Sequence, residues 1–116
     1  MSRKSRRGKT AQHQARASAF AALGDETRLL LVAALCRGQP RSISQLTKGS
    51  RLTRQAITKH LRVLEKAEIV HHVRAGRESR FELNSEPMEE LKRYLDQVSE
   101  QWDQALSRLK SFVEGT

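Results

Sequence analysis

Between Leu52 and Leu83 the hydrophobic period switches from that of a helix to that of strands, and this order within so short a span restricts the fold sharply. Ala56, Ile57, Leu61 and Leu64 recur at three- and four-residue spacing and form the inward stripe of a helix that Thr53 is placed to cap. Ile69-Val70-His71-His72-Val73 and Ser79-Arg80-Phe81-Glu82-Leu83 then alternate or run apolar on either side of the tight loop Ala75-Gly76-Arg77-Glu78. A basic helix followed by an arginine-tipped hairpin reads as a winged helix-turn-helix. In such a fold the exposed first turn of the helix suits the major groove of DNA, and the hairpin suits neighbouring phosphates or a narrow minor groove.

The open side of that helix carries Arg54, Gln55, Thr58, Lys59 and Arg62, with Thr53 at its start and His60 within it. Together with Arg77 and Arg80 of the hairpin, these are the candidate DNA-binding residues. Arg54 and Gln55 are the expected base readers, since arginine pairs with guanine and glutamine with adenine through two hydrogen bonds each.

Upstream, residues 11 to 22 are predicted to form a helix rich in alanine, with Gly24 ending it. Asp25 reads as the cap of a second helix, its buried stripe supplied by Leu29, Leu30, Val32, Ala33 and Leu35. Gly38 and Pro40 stop that helix. Ser42 can cap a short third one holding Ile43 and Leu46, and Lys48-Gly49-Ser50 reads as the turn before the recognition helix. The expected architecture is therefore mainly α, about five helices with a two-stranded wing, in one domain over residues 11–114 behind a basic, disordered tail at residues 1–10.

From Ser85 onward Met88, Leu91, Leu95, Val98, Trp102, Ala105, Leu109 and Phe112 follow an unbroken alternation of three- and four-residue steps. At about 1.5 Å per residue the stripe runs roughly 36 Å, more than the core of one small domain covers. It calls for a partner helix. A homodimer is expected through the terminal helices, with Leu91, Leu95, Val98, Trp102, Leu109 and Phe112 of the last helix and Phe20 of the first as the candidate contacts. Two recognition helices related by a two-fold axis would then read an inverted repeat.

Charge supports a polyanionic partner. The 116 residues carry 22 basic and 13 acidic side chains, a net +9, with 37% apolar residues to close a small core. Arg3, Lys4, Arg6, Arg7, Lys9 and Arg16 crowd the first 16 residues without an acid, and residues 48 to 80 hold nine basic residues against three acids. Residues 85 to 114 reverse the sign, giving a basic working face and an acidic end. Nothing approaches the roughly 20 apolar residues of a membrane span, and the start lacks an apolar signal core, so a soluble cytoplasmic protein without membrane association is expected. Cys36 alone cannot form an internal disulfide and is expected as a small buried hydrophobe.

Catalysis finds no support: neither the four histidines nor the six glycines have the spacing of a nucleophile-base pair, a metal centre or a phosphate loop. His71 and His72 are neighbours on a strand and point to opposite faces, so they cannot share a metal. No cofactor is expected.

The run Leu23-Gly24-Asp25-Glu26-Thr27-Arg28, the segment Thr53 to Val70 with Thr58-Lys59-His60-Leu61-Arg62-Val63-Leu64, and Arg74-Ala75-Gly76-Arg77 resemble the ArsR/SmtB family of bacterial repressors across most of residues 16 to 113. Tyr94-Leu95-Asp96 and Gln101-Trp102-Asp103 are similar to its branch of autorepressors with a tryptophan in the last helix. The resemblance implies a dimeric winged-helix repressor that binds near a promoter and is released by an effector. Two departures stand out: Glu68 occupies a position where glycine is usual, and Asp25-Glu26 lacks the usual proline. The family's thiolate metal site would fall on Ser42 and Ser44, which supply no sulfur, and no histidine lies beyond His72 to build a site on the last helix.

Three other readings use the same residues. A winged domain devoted to protein association would show no salt-sensitive DNA binding, and an architectural module would bind DNA without sequence preference. A metal-responsive repressor would need a site outside the patterns above.

Overall fold

The computed structural model describes residues 2–115, with side chains from residue 8 onward apart from Ala75. Its elements are α1 (Ser2–Leu23), α2 (Glu26–Leu35), β1 (Arg41–Ser42), α3 (Ile43–Thr47), α4 (Arg54–Lys66), β2 (Val70–Ala75), β3 (Glu78–Leu83) and α5 (Ser85–Val113). They fall into two compact units, residues 2–84 and the helical unit from Ser85, a boundary that the expected single domain did not include.

In the first unit the caps follow the sequence. Asp25 accepts from the Arg28 backbone N–H at 3.0 Å, and Thr53 accepts from that of Ala56 at 3.1 Å. Ser42 forms a reciprocal capping box with Gln45, with bonds of 3.1 and 2.9 Å. Ile57, Leu61 and Leu64 of α4 are almost fully buried with Ile69 and Val70, and form the centre of the core. Each such side chain contributes about 1.5 to 3 kcal/mol of burial. Helices α1, α2 and α3 and strand β2 all contact α4, so the helix offered to solvent on one side is anchored on the other.

The sheet has three strands in the order β1-β3-β2, all antiparallel, rather than the expected two. The added strand pairs Arg41 with Phe81 and Ser42 with Arg80; two residues are too few to show alternation in a sequence. Strand alternation puts Val70, His72 and Phe81 on the core face and His71, Arg80 and Glu82 on the opposite face. Gly76 has φ 64 at the first central position of the two-residue turn, as a type II′ hairpin requires.

Three expectations are corrected here. Helix α1 begins at Ser2 rather than near residue 11, so the backbone expected as a disordered tail is helical: arginine and lysine are good helix formers, and charge alone was a poor guide. The tail side chains of Arg3, Lys4, Arg6 and Arg7 lie outside those described. In α2 the buried residues are Leu31, Val32 and Leu35, whereas Leu29 and Leu30 are 53% and 65% exposed and Ala33 is exposed. Val32 and Leu35 are buried as expected; a run of apolar residues has no clear phase, and packing took Leu31 in place of Leu29, Leu30 and Ala33. Cys36, expected inside, is exposed at the end of α2.

The second unit is one helix of 29 residues with Pro87 in its first turn, where a missing N–H costs nothing. Leu91 is buried, while Leu95 (51%), Trp102 (63%), Leu109 (58%) and Phe112 (81%) are exposed. Among the described residues no helix is long and apolar enough to cross a membrane.

Candidate nucleic-acid interface

Helix α3, the turn Lys48–Thr53 and helix α4 make the helix-turn-helix. Gly49 turns the chain with φ 84, the Ser50 N–H bonds the Thr47 carbonyl at 2.9 Å, and the Leu52 N–H bonds Ser50 Oγ at 3.1 Å. The turn thus leads to Thr53 at its capping position with the Ser50 and Leu52 N–H groups already bonded.

Arg54, Gln55, Thr58, Lys59 and Arg62 line a single shallow concavity on the open side of α4. Arg54, Gln55, Lys59 and Arg62 are exposed, and Thr58 is half-buried, its hydroxyl donating to the Arg54 carbonyl at 2.7 Å. Among the described residues none of these three cations enters an ion pair, so their charge is directed outward. Thr53 is exposed at the start of the same face.

His60 departs from this group. Its Nδ1 lies 3.3 Å from Arg28 Nη1 and 3.8 Å from Asp25 Oδ2, so the ring faces the start of α2 rather than the open side. The sequence held the signal: His60 stands three residues after Ile57 and four before Leu64, at the edge of the buried stripe. Arg28, which sequence reasoning left without a role, also donates from Nε to the Ala22 carbonyl and so ties the end of α1 to α2 and α4. The Arg28 backbone N–H holds the Asp25 carboxyl below its ordinary value, and the charges of Arg28 and His60 act in the same direction.

On the wing, Arg77 is exposed at the turn, and among the described residues it has no ion-pair partner. Arg80 is engaged: its Nε and Nη2 donate to Glu78 Oε2 at 3.2 and 3.1 Å. Arg74, exposed on the neighbouring strand, is an additional wing cation that the charge pattern includes but that the motif alone assigns no role. The wing's base is fixed by His71, which bridges Glu82 at 2.8 Å and Asn84, while His72 packs at a tilt against Phe81 with ring centroids 4.2 Å apart and meets Glu65. Among the described residues no group of three or more His, Cys, Asp or Glu side chains is arranged to hold a metal ion.

A short helix, a turn, an exposed basic helix and a basic hairpin, in that order on one core, define the winged helix-turn-helix class of DNA-binding regulators. Residues 25–72 match the family described as bacterial regulatory protein, arsR family. The HTH-type transcriptional regulator YuzN of Bacillus subtilis is 38% identical over 78 residues, which cover 62% of this chain and 85% of that one. An ArsR-like transcriptional regulator from Rhodococcus sp. RHA1 superposes with a TM-score of 0.75 at 34% identity, over 91% of this chain and 99% of its own. The chain belongs to the ArsR family of bacterial transcriptional regulators. A more distant structure shares the fold: a winged helix-turn-helix domain from Mycobacterium bovis, described as homodimeric, at TM-score 0.64 and 20% identity over 86% of this chain and 89% of that one.

Proposed function

We propose that this regulator acts as a homodimeric repressor whose paired α4 helices enter successive major grooves of an inverted-repeat operator. The observation that carries this reading is the gathering of Arg54, Gln55, Thr58, Lys59 and Arg62 on one open face with unneutralised charge. Arg54 and Gln55, in the first turn of α4, serve as base readers; Lys59 and Arg62 hold the backbone, and Thr53 bonds phosphate at the helix start. Arg77 secures the flank. Arg80 reaches DNA by exchanging its Glu78 partner for phosphate, and His60 contributes by orienting the helix from within.

The dimer uses α5. Leu95, Trp102, Leu109 and Phe112 keep their apolar surface exposed, and Leu106 and Val113, at 53% and 74%, widen the stripe beyond the heptad positions. Val98, half-buried, belongs to the same stripe, and Phe20, half-buried on α1, adds an apolar contact from the first unit. Leu91, on the same stripe, completes the set. That the M. bovis domain of the same fold is described as homodimeric supports pairing of two chains. Nuclease footprinting of the DNA upstream of the regulator's own gene tests the proposal. Protection of two half-sites in inverted orientation on one face of the duplex is expected; a single unpaired footprint would contradict the dimeric reading.

A further inference from the structure

We propose that a cleft beside the helix-turn-helix binds a small organic carboxylate with an apolar body, and that its occupancy tunes the recognition helix. The cleft, about 550 Å³, lies within the first unit among α2, α3 and the Lys48–Leu52 turn. Sites for small molecules run about 300 to 1,000 Å³. Its floor is apolar and belongs to the core: Leu31, Leu46 and Ile57 are 5%, 7% and 1% exposed. Leu30 lies in its wall at 65% exposure, which gives that outward-facing leucine of α2 a use.

Charge selects the ligand. Arg41, Lys48 and Arg51 line the cleft against one acid, Glu26, and among the described residues none of the three cations forms an ion pair. Arg41 Nε is shut off from solvent and meets no hydrogen-bond acceptor among the described residues. A partly buried guanidinium without a counter-charge is costly, and the planar fork of arginine matches a carboxylate with two parallel bonds. An apolar floor beneath unmatched cations therefore suits an amphipathic acid.

The position supplies the coupling. Residues 48 to 52 wall the cleft and lead into the Thr53 cap, and Ile57 of the floor is part of α4 itself. A ligand with different affinity for two placements of this turn shifts the helix between them. This coupling rests on the DNA-binding reading above; ligand binding does not.

The test is a titration of the full chain, labelled for amide nuclear magnetic resonance, with octanoate and in parallel with octanol. Octanoate is expected to shift the amides of Leu30, Gln45 and Ser50, with binding weakened on the order of tenfold or more for octanol and for Arg41→Gln. Equal binding of octanol and octanoate, shifts confined to α5, or no shifts would overturn the site. The affinity of wild type for its upstream DNA is then measured with and without octanoate, with a several-fold change expected that Arg41→Gln abolishes. Site-specific octanoate binding with DNA affinity unchanged would overturn the tuning role. Failure to bind DNA at all would count against the proposed function and leave the carboxylate site to be decided by the titration.

Discussion

Asn84 donates from its side-chain amide to the carbonyl of Glu68 at 2.6 Å, joining the residue after β3 to the residue that turns the chain out of α4. Glu68 sits at φ 63, the only non-glycine with positive φ among the described residues. Its N–H bonds the Glu65 carbonyl and that of Ile69 bonds the Leu64 carbonyl, both at 2.9 Å, which is a Schellman ending that ordinarily takes glycine. The departure from the family pattern at this position is therefore a local strain held in place by the wing.

Relieving that strain should stabilise the protein. Glu68→Gly removes the left-handed penalty at some cost in unfolded-chain entropy, and a net gain of about 0.5 to 1 kcal/mol is expected in urea unfolding. A loss of stability would show that the Glu68 side chain contributes more than its backbone costs.

Base reading and phosphate binding separate in mutant affinities. Gln55→Ala is expected to cost about 1 to 3 kcal/mol on the preferred operator and little on duplexes altered at the base it reads. Arg77→Ala should weaken all duplexes alike and flatten the salt dependence by about one unit for each phosphate that the dimer no longer neutralises. Binding measured by fluorescence anisotropy on an operator series distinguishes the two; uniform weakening by Gln55→Ala would remove it as a base reader.

The exposed stripe of α5 gives a prediction about assembly. Trp102→Glu places a charge on a side chain already 63% exposed, so the fold is expected to persist while the dimer dissociates. Solution mass by light scattering, with far-ultraviolet circular dichroism as a control, reads both. A dimer that survives the substitution would move the interface away from this stripe.

Asp25 makes stability depend on pH at the acid end. Its carboxyl lies below the ordinary value of 3.8 in the folded chain, chiefly through the Arg28 backbone N–H. A lowered folded value means that the contribution is fully present above the ordinary range and is lost as pH falls through the folded value. The stability difference between wild type and Asp25→Asn should accordingly shrink on acidification below about pH 4. A difference independent of pH would assign the cap to hydrogen bonding without charge.

Sequence was most informative where one side chain has one local task. Asp25, Ser42 and Thr53 each precede a helical pattern and accept the expected backbone N–H, and Ile57, Leu61 and Leu64 fixed the phase of α4. It was least informative where the choice belongs to tertiary packing. The run Leu29-Leu30-Leu31-Val32 offers several apolar faces, and only the surroundings decide that Leu31 and Val32 turn inward. The Arg28 link between Ala22 and His60 joins residues from three helices and leaves no periodic trace. By contrast, the Glu78–Arg80 pair follows from spacing, since two residues apart on β3 both side chains fall on one face.

The central claim is that an α5-paired dimer selects DNA through the open face of α4. Its most direct test is competition binding of the purified chain to its own upstream DNA against a scrambled duplex of equal length, across a salt series, with solution mass recorded alongside. The expected result is a dimer that prefers the upstream duplex by a factor of about 10³ or more at physiological salt, with an affinity that falls steeply as salt rises. Equal affinity for both duplexes, or binding by a monomer, would contradict it.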